Sequence, residues 1–99
     1  MRRVLQLDEV DAVQVEIFSP VEDVGSFGDY LCRFKINGLG KNVEGYGAGI
    51  DSINALVGAL IIIGNKLYTT EEYKSGRLSW SGSIDRGKLG FPTAGLINW

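Results

Sequence analysis

The sequence predicts an α+β domain in which an antiparallel meander sheet of four to five strands carries one long helix on one face. Three observations favour this class. Apolar and polar residues alternate over 13–17 and again over 30–36, the turn-forming pair Asn37-Gly38 follows, and an apolar stretch begins just after Asp51. The 99 residues, of which 44% are hydrophobic and 22% charged, fit a single domain over 1–99.

The first half of the chain contains most of the predicted strands. Residues 4–7 form a short first strand, and 13–17 follow with the period of two that is typical of a half-buried strand. Residues 21–29 then form a long connection. The alternation over 30–36 is the clearest in the chain, and it places Cys32 on the apolar face of its strand.

The pair Asn37-Gly38 favours a tight hairpin in which both central residues have positive φ. The chain is expected to turn back here into a return strand over 41–47, with Gly40 as a bulge residue. Gly45 and Gly47 would thin one face of this strand where another element packs closely. Because the connections are short, neighbouring strands are expected to be antiparallel.

Asp51 precedes the apolar stretch and is a good N-cap, so the helix is predicted to run from residue 52 to 67 or 68. At 100° per residue, one face collects large aliphatic side chains and is expected to lie on the sheet. Its members are Ile53, Leu56, Val57, Leu60, Gly64 and Leu67. A second, mostly small apolar stripe is predicted on the outer face, and it consists of Ala55, Gly58, Ala59 and Ile62.

A helix that is apolar on both sides must be covered on both sides. The predicted outer stripe, together with Trp99, is therefore the candidate interface. Two covers remain open: a symmetry-related helix in a homodimer, or the apolar tail over 96–99.

After the helix, Thr70 is expected to cap a short helical turn whose first residues, Glu71 and Glu72, are acidic. The alternation over 77–81 predicts a fifth strand. The remaining tail is punctuated by glycines but is too apolar to remain in water, so we expect it to fold back onto the body.

The composition argues against several chemistries. The chain has no histidine, the residue most used in acid–base catalysis and in zinc sites, and its single cysteine, Cys32, is expected to be inert core packing. The acids lack the spacing of a calcium loop, so no metal and no cofactor are expected. Residues 82–89 match the spacing of a phosphate-binding loop, but Leu89 replaces the required Ser or Thr, and the match is interpreted as coincidence.

The charges are distributed unevenly along the chain. Ten bases and twelve acids give a net charge of −2, which argues against a nucleic-acid partner. Seven acids and no base lie between residues 4 and 32, whereas 33–99 carry eight bases and five acids. The acids Asp8, Glu9, Asp11, Glu22 and Asp23 are a candidate acidic surface for a basic protein, with ordinary solvated charge as the alternative.

The apolar runs near the start of the chain and in the helix are too short or too interrupted for a signal peptide or a membrane span. We therefore expect a cytoplasmic protein with no membrane partner.

Four segments resemble a family of small uncharacterised bacterial domains. They are the helix start Gly49-Ile50-Asp51-Ser52, the aliphatic helix after it, Leu78-Ser79-Trp80, and Leu89-Gly90-Phe91-Pro92. The resemblance covers roughly residues 30 to 92. It implies a bacterial origin and a single domain, and it gives no residue a catalytic role.

The sequence favours a non-catalytic protein-interaction module, either a homodimer or an immunity-like or accessory factor. The alternative is a small-molecule or anion binder, conceivably an enzyme, that uses the Gly45–Asp51 segment. In that case Gly45, Gly47 and Gly49 would bring free amides near the helix N-terminus to an anion.

Overall fold

The computed structural model describes residues 1–23, 25, 29–82 and 87–92. It contains six strands and two helices in the order β1 to β5, α1, α2, β6. The strands are β1 (Arg2–Leu7), β2 (Val10–Ile17), β3 (Val21–Glu22), β4 (Tyr30–Asn37), β5 (Val43–Gly49) and β6 (Leu78–Ser79), and the helices are α1 (Ser52–Tyr68) and α2 (Glu71–Lys74).

The six strands form one antiparallel sheet. Strands β2 and β3 both pair with one side of β4, and β5 pairs along the whole of the other side. Strand β1 pairs with β2, and β6 adds to the outside of β1. The predicted α+β meander is confirmed, and the sheet has six strands rather than four to five because the short β3 continues the line of β2 within the expected long connection.

The turn chemistry differs from the prediction. The pairing of β4 with β5 closes at Ile36 and Val43, so Asn37-Gly38 opens a longer loop instead of a two-residue hairpin. Gly40 lies in that loop with φ of 80° and is not a strand bulge. The tight two-residue turn is Asp8-Glu9, where φ is 54° and 68°. This turn was hard to predict because Glu is rare in the left-handed region.

The core lies on one face of the sheet, beneath α1. Its sheet side is built from alternate residues of β1, β2 and β4, namely Leu5, Val13, Val15, Ile17, Cys32, Phe34 and Ile36. Asp51 caps α1 through a hydrogen bond from the amide of Asn54, and Thr70 caps α2 through one from Tyr73, as predicted. The other face of the sheet is exposed to solvent.

Helix α1 is rotated relative to the prediction, and only Gly64 and Leu67 of the predicted sheet-facing residues are buried. Ala55 and Ala59 are fully buried, whereas Ile53 is 73% exposed. Ala55 and Ala59 therefore face inwards, so their predicted placement on the outer face of the helix is wrong, while the homodimer stays a prediction. Ile62 also packs against the core, although it is only partly buried.

The glycines of β5 explain this orientation. A methyl group on Gly47 would lie 2.6 Å from the backbone carbon of Gly58 and 2.7 Å from the carbonyl oxygen of Ala55, and one on Gly49 would lie 2.6 Å from the backbone of Asn54. The backbones of helix and strand therefore touch. Only small side chains fit where the elements are this close, so Ala55 and Ala59 lie at the crossing with β5. The large residues Ile63 and Leu67 are fully buried further along the helix.

The segment after β6 is held against the sheet by Arg3. The guanidinium group lies 3.9 Å above the ring of Trp80 and donates hydrogen bonds to the carbonyls of Leu89 and Gly90. Leu89 and Phe91 are buried, as expected for a tail that folds back. The predictions for 96–99, including Trp99, and residues 83–86 of the phosphate-loop match at 82–89 lie outside the described residues.

The close contact predicts that Gly47→Ala is strongly destabilising, by about 3 kcal/mol, because the added methyl overlaps the helix backbone. Gly58→Ala is the matched control, since a methyl there lies 3.4 Å from the nearest atom and improves helix propensity. Urea denaturation of both variants at low protein concentration measures the difference. Equal stability of the two variants would contradict the close approach.

Candidate functional site

Strand β5 lies at an edge of the sheet. Within the described part of the chain, β5 pairs only with β4, so its other side is a free edge of the sheet. Helix α1 lies above this strand. Three large hydrophobic side chains lie along the same stretch of chain and are exposed to 57%, 80% and 73%: Tyr46, Ile50 and Ile53. We call the free side of β5 together with these three side chains the β5 edge surface.

The hydrogen-bond pattern fixes which residues of β5 face the free edge. The amide of Phe18 donates to the carbonyl of Arg33, so Arg33 directs its backbone groups away from β5. Because backbone direction alternates in an antiparallel strand, Cys32 and Phe34 direct theirs towards β5. Their register partners Gly47 and Gly45 are therefore satisfied within the sheet, and the intervening residues of β5 point outwards.

The outward residues of β5 are Glu44, Tyr46 and Ala48. Each carries one N–H donor and one C=O acceptor directed away from β4. The side chains of the same residues are exposed on the open face of the sheet. The edge thus offers a row of backbone groups on one side and an aromatic ring beside it.

The open face next to this edge carries balanced charge. Arg2, Glu16, Lys35 and Glu44 are successive register partners across four strands, so cation and anion alternate along one row. Lys35 Nζ lies 3.3 Å from a carboxylate oxygen of Glu44. These surface pairs are individually weak, and a row of this kind gives no net field that would attract a polyanion.

The predicted anion site does not form at the glycine segment. Gly45, Gly47 and Gly49 are strand residues whose missing side chains make room for Phe34 and for α1. The helix start is also occupied by its own side chains. Asp51 accepts a hydrogen bond from the amide of Asn54 at 2.7 Å, and Asn54 accepts one from the amide of Ile50 at 3.1 Å. The glycine pattern serves packing instead.

The predicted acidic surface is divided by the fold. Asp8, Glu9 and Asp11 lie at the β1–β2 turn, whereas Glu22 and Asp23 lie beyond the other end of β2. Asp8 is paired with Arg77 through two hydrogen bonds of 2.9 and 2.8 Å, and Asp11 accepts one from Gln6. The five acids therefore do not form one continuous patch.

A wide hollow of about 980 Å³ opens beside β6 and the β1–β2 turn. Asp8, Arg77 and Trp80 are among its lining residues. The two charged groups bind each other, and the amide of Asp8 donates to the carbonyl of Arg77. These contacts between Asp8 and Arg77 hold the start of β6 against the β1–β2 turn.

The one thiol of the chain, Cys32, lies in the core. Cys32 is fully buried, its Sγ lies 3.3 Å from the carbonyl of Phe18 to which it donates, and burial raises the pKa of the thiol. The predicted placement of Cys32 on the core face is confirmed. Among the described residues no three His, Cys, Asp or Glu side chains are grouped to hold a metal ion, and none of the helices there is long and apolar enough to cross a membrane.

The comparisons with known proteins identify a family without an assigned activity. The chain belongs to the family described as "Domain of unknown function (DUF6968)", which matches residues 1–93. The match extends over β1 and β2 as well as the segments that carry the resemblance in the sequence. No curated protein and no solved structure matches the chain. Membership of an uncharacterised domain family is thus confirmed, and bacterial origin stays a prediction.

Sequence reasoning missed the β5 edge surface. The signal was present in two matching patterns, the alternate glycines at 45, 47 and 49 and the small residues at 55 and 59, which complement each other across a close contact. Taken together, the two patterns predict that Ala55 and Ala59 face β5 and that Ile53 is exposed.

Burial of Cys32 predicts very slow reaction of the native protein with thiol reagents, since the protonated thiol is enclosed in the core. Labelling followed by mass spectrometry is expected to proceed at the rate of protein opening and to become fast in urea. Rapid labelling of the native chain would contradict the buried position.

The pairing of Asp8 with Arg77 predicts a stability difference that depends on pH. The hydrogen bonds from Arg77 lower the pKa of Asp8 below its usual 3.8, so the pair stabilises the fold above that range and this stabilisation is lost as the pH falls through the folded-state pKa. Asp8→Asn, which keeps the shape and suits positive φ, is expected to lower the melting temperature slightly at pH 7 and to have no effect near pH 2. An equal loss at both pH values would refute the electrostatic role.

Proposed function

We propose that the protein is a non-catalytic interaction domain that binds another protein chain through the β5 edge surface. The observation that carries the proposal is the coincidence of a free strand edge with large exposed hydrophobic side chains. Ile50 and Ile53 are 80% and 73% exposed, and a partner that covered them would remove apolar surface from water.

The chemistry of the edge fits a protein partner. Outward N–H and C=O groups recognise an added strand by its backbone, which is a general mode of protein–protein recognition. Tyr46 supplies an exposed ring beside the edge, and tyrosine is enriched at protein interfaces. The balanced charges of the open face fit a partner of low net charge better than a polyanion.

The proposal is non-catalytic because of which reactive side chains are accessible. The only thiol is buried, the exposed carboxylate Asp8 is paired with Arg77, and the chain has no histidine. What remains accessible at the β5 edge surface is backbone, an aromatic ring, aliphatic side chains and the carboxylate of Glu44, which is paired with Lys35. One carboxylate without a second catalytic group beside it is better suited to binding than to acid–base catalysis.

Affinity capture from the native host tests the proposal. Ile53→Asp places a charge on the surface without touching the core, because Ile53 is 73% exposed. Proteins captured by the wild type are expected to be lost with this variant. Gln14→Asp, at an exposed position of the central strand β2, is the matched control and is expected to capture normally.

Mass spectrometry of the captured proteins also distinguishes an untagged copy of this chain from another protein. Capture that is unchanged by Ile53→Asp would place the binding surface elsewhere and contradict the proposal.

A further inference from the structure

We infer that the partner at the β5 edge surface is a second copy of this chain, bound by antiparallel pairing of β5 with its counterpart across a twofold axis at Tyr46. This inference rests on the proposed function and names the partner for the same surface. The result is one continuous sheet of two subunits with both α1 helices on the same face.

The two edges of the sheet differ in how they are protected. At the edge opposite β5, the two-residue β6 covers only Gln6 and Leu7 of β1. Arg3 of β1 holds the segment at Leu89 and Gly90 there by hydrogen bonds. Strand β5 has seven residues and contains neither proline nor lysine, and no bulge interrupts its register with β4. A long, regular and unguarded edge is the kind that accepts another strand.

The outward residues of β5 favour pairing with themselves. Tyr46 is the middle one of Glu44, Tyr46 and Ala48, so an axis at Tyr46 lets all three residues exchange backbone hydrogen bonds with the second copy. Glu44 then lies opposite Ala48 of the second copy. The two carboxylates are kept apart, and no like charges face each other directly across the strands.

Gly58 leaves the edge accessible from the side of the helix. It is a helix-interior glycine, which costs stability relative to alanine, yet a methyl group there would lie 3.4 Å from the carbonyl oxygen of Ala48 and 3.7 Å from its nitrogen. Packing within one copy therefore does not require a glycine. The nearest atoms are the outward backbone groups of Ala48, which a large side chain at this position would cover.

The same glycine makes room for the second helix. Pairing brings the two β5 strands about 4.8 Å apart. Because each α1 packs over both β5 and β4 of its own copy, its axis is set back from the edge, and the two helices would face each other across the axis. Small residues permit close approach of helix backbones. Gly58 lies on the side of α1 that would face the second copy.

Disulfide trapping tests the register. In a hydrogen-bonded pair the Cα atoms lie about 5.5 Å apart, within the range of a disulfide, so Tyr46→Cys is expected to form a covalent dimer on mild oxidation. Glu44→Cys is the matched control, because the two copies of residue 44 would lie about 14 Å apart along the strands and cannot be joined. The native Cys32 is buried and does not interfere.

The double variant Glu44→Cys with Ala48→Cys checks the same axis from the other positions, since residues 44 and 48 of different copies would be opposite each other. It is expected to cross-link through two bonds, and circular dichroism establishes that each variant is folded. Cross-linking of Glu44→Cys as fast as Tyr46→Cys, or no cross-linking of folded Tyr46→Cys, would overturn the inference.

Light scattering of the wild type at concentrations up to about 1 mM, where even weak dimers are populated, gives the native mass. A dimer is expected, and Gly58→Leu is expected to give a folded monomer because its side chain covers the edge. A monomeric wild type overturns self-pairing. The edge would then be occupied by a different chain or by residues 93–99. If the monomer still captures another protein through Ile53, the proposed function stands without the second copy; if it captures nothing, both fail.

Discussion

The backbone of α1 can rest on β5 only because Gly47 and Gly49 have no side chains where the two elements cross. A single methyl group on either residue would overlap the helix backbone. This steric requirement sets the rotation of the helix, since Ala55 and Ala59 are the side chains small enough to lie in the gap. Helices usually pack through large interlocking side chains, but here the short distance between the backbones of α1 and β5 determines which face is buried.

Two surface properties follow from this contact. The large aliphatic residues that the helix carries are turned away from the crossing point, so Leu56 and Leu60 pack at its flank and Ile53 reaches the solvent. The helix also packs over β5 and β4, at one side of the sheet, and the outer side of β5 is left without a strand partner in the described chain. An exposed apolar helix start and a free backbone edge thus have one structural cause.

Local signals predicted the elements well and their mutual orientation poorly. The alternation in β4, the cap at Asp51 and the length of α1 depend on neighbours in sequence, and all three are confirmed. The face of α1 depends on what it meets in space. Hydrophobicity ranks Ile53 above Ala55 for burial, but the glycines of β5 reverse that order because volume, and not transfer free energy, limits the contact.

The candidate site was missed for the same reason. The expectation that α1 is apolar on two sides was sound, while the assignment of Ala55 and Ala59 to the outer side was wrong. The β5 edge surface arises from strand pairing between distant segments, and no local pattern encodes which backbone groups of Glu44, Tyr46 and Ala48 stay free. That property became visible only with the register of β4 against both of its neighbours.

Nuclear Overhauser spectroscopy tests the close contact most directly. With the helix on its small face, the α protons of Gly47 lie against the backbone of α1 and are predicted to give strong cross-peaks to the amide proton of Ala59. If the helix instead packed through its large aliphatic face, the same protons would give cross-peaks to the methyl groups of Ile53 and Val57, and that result would contradict the account.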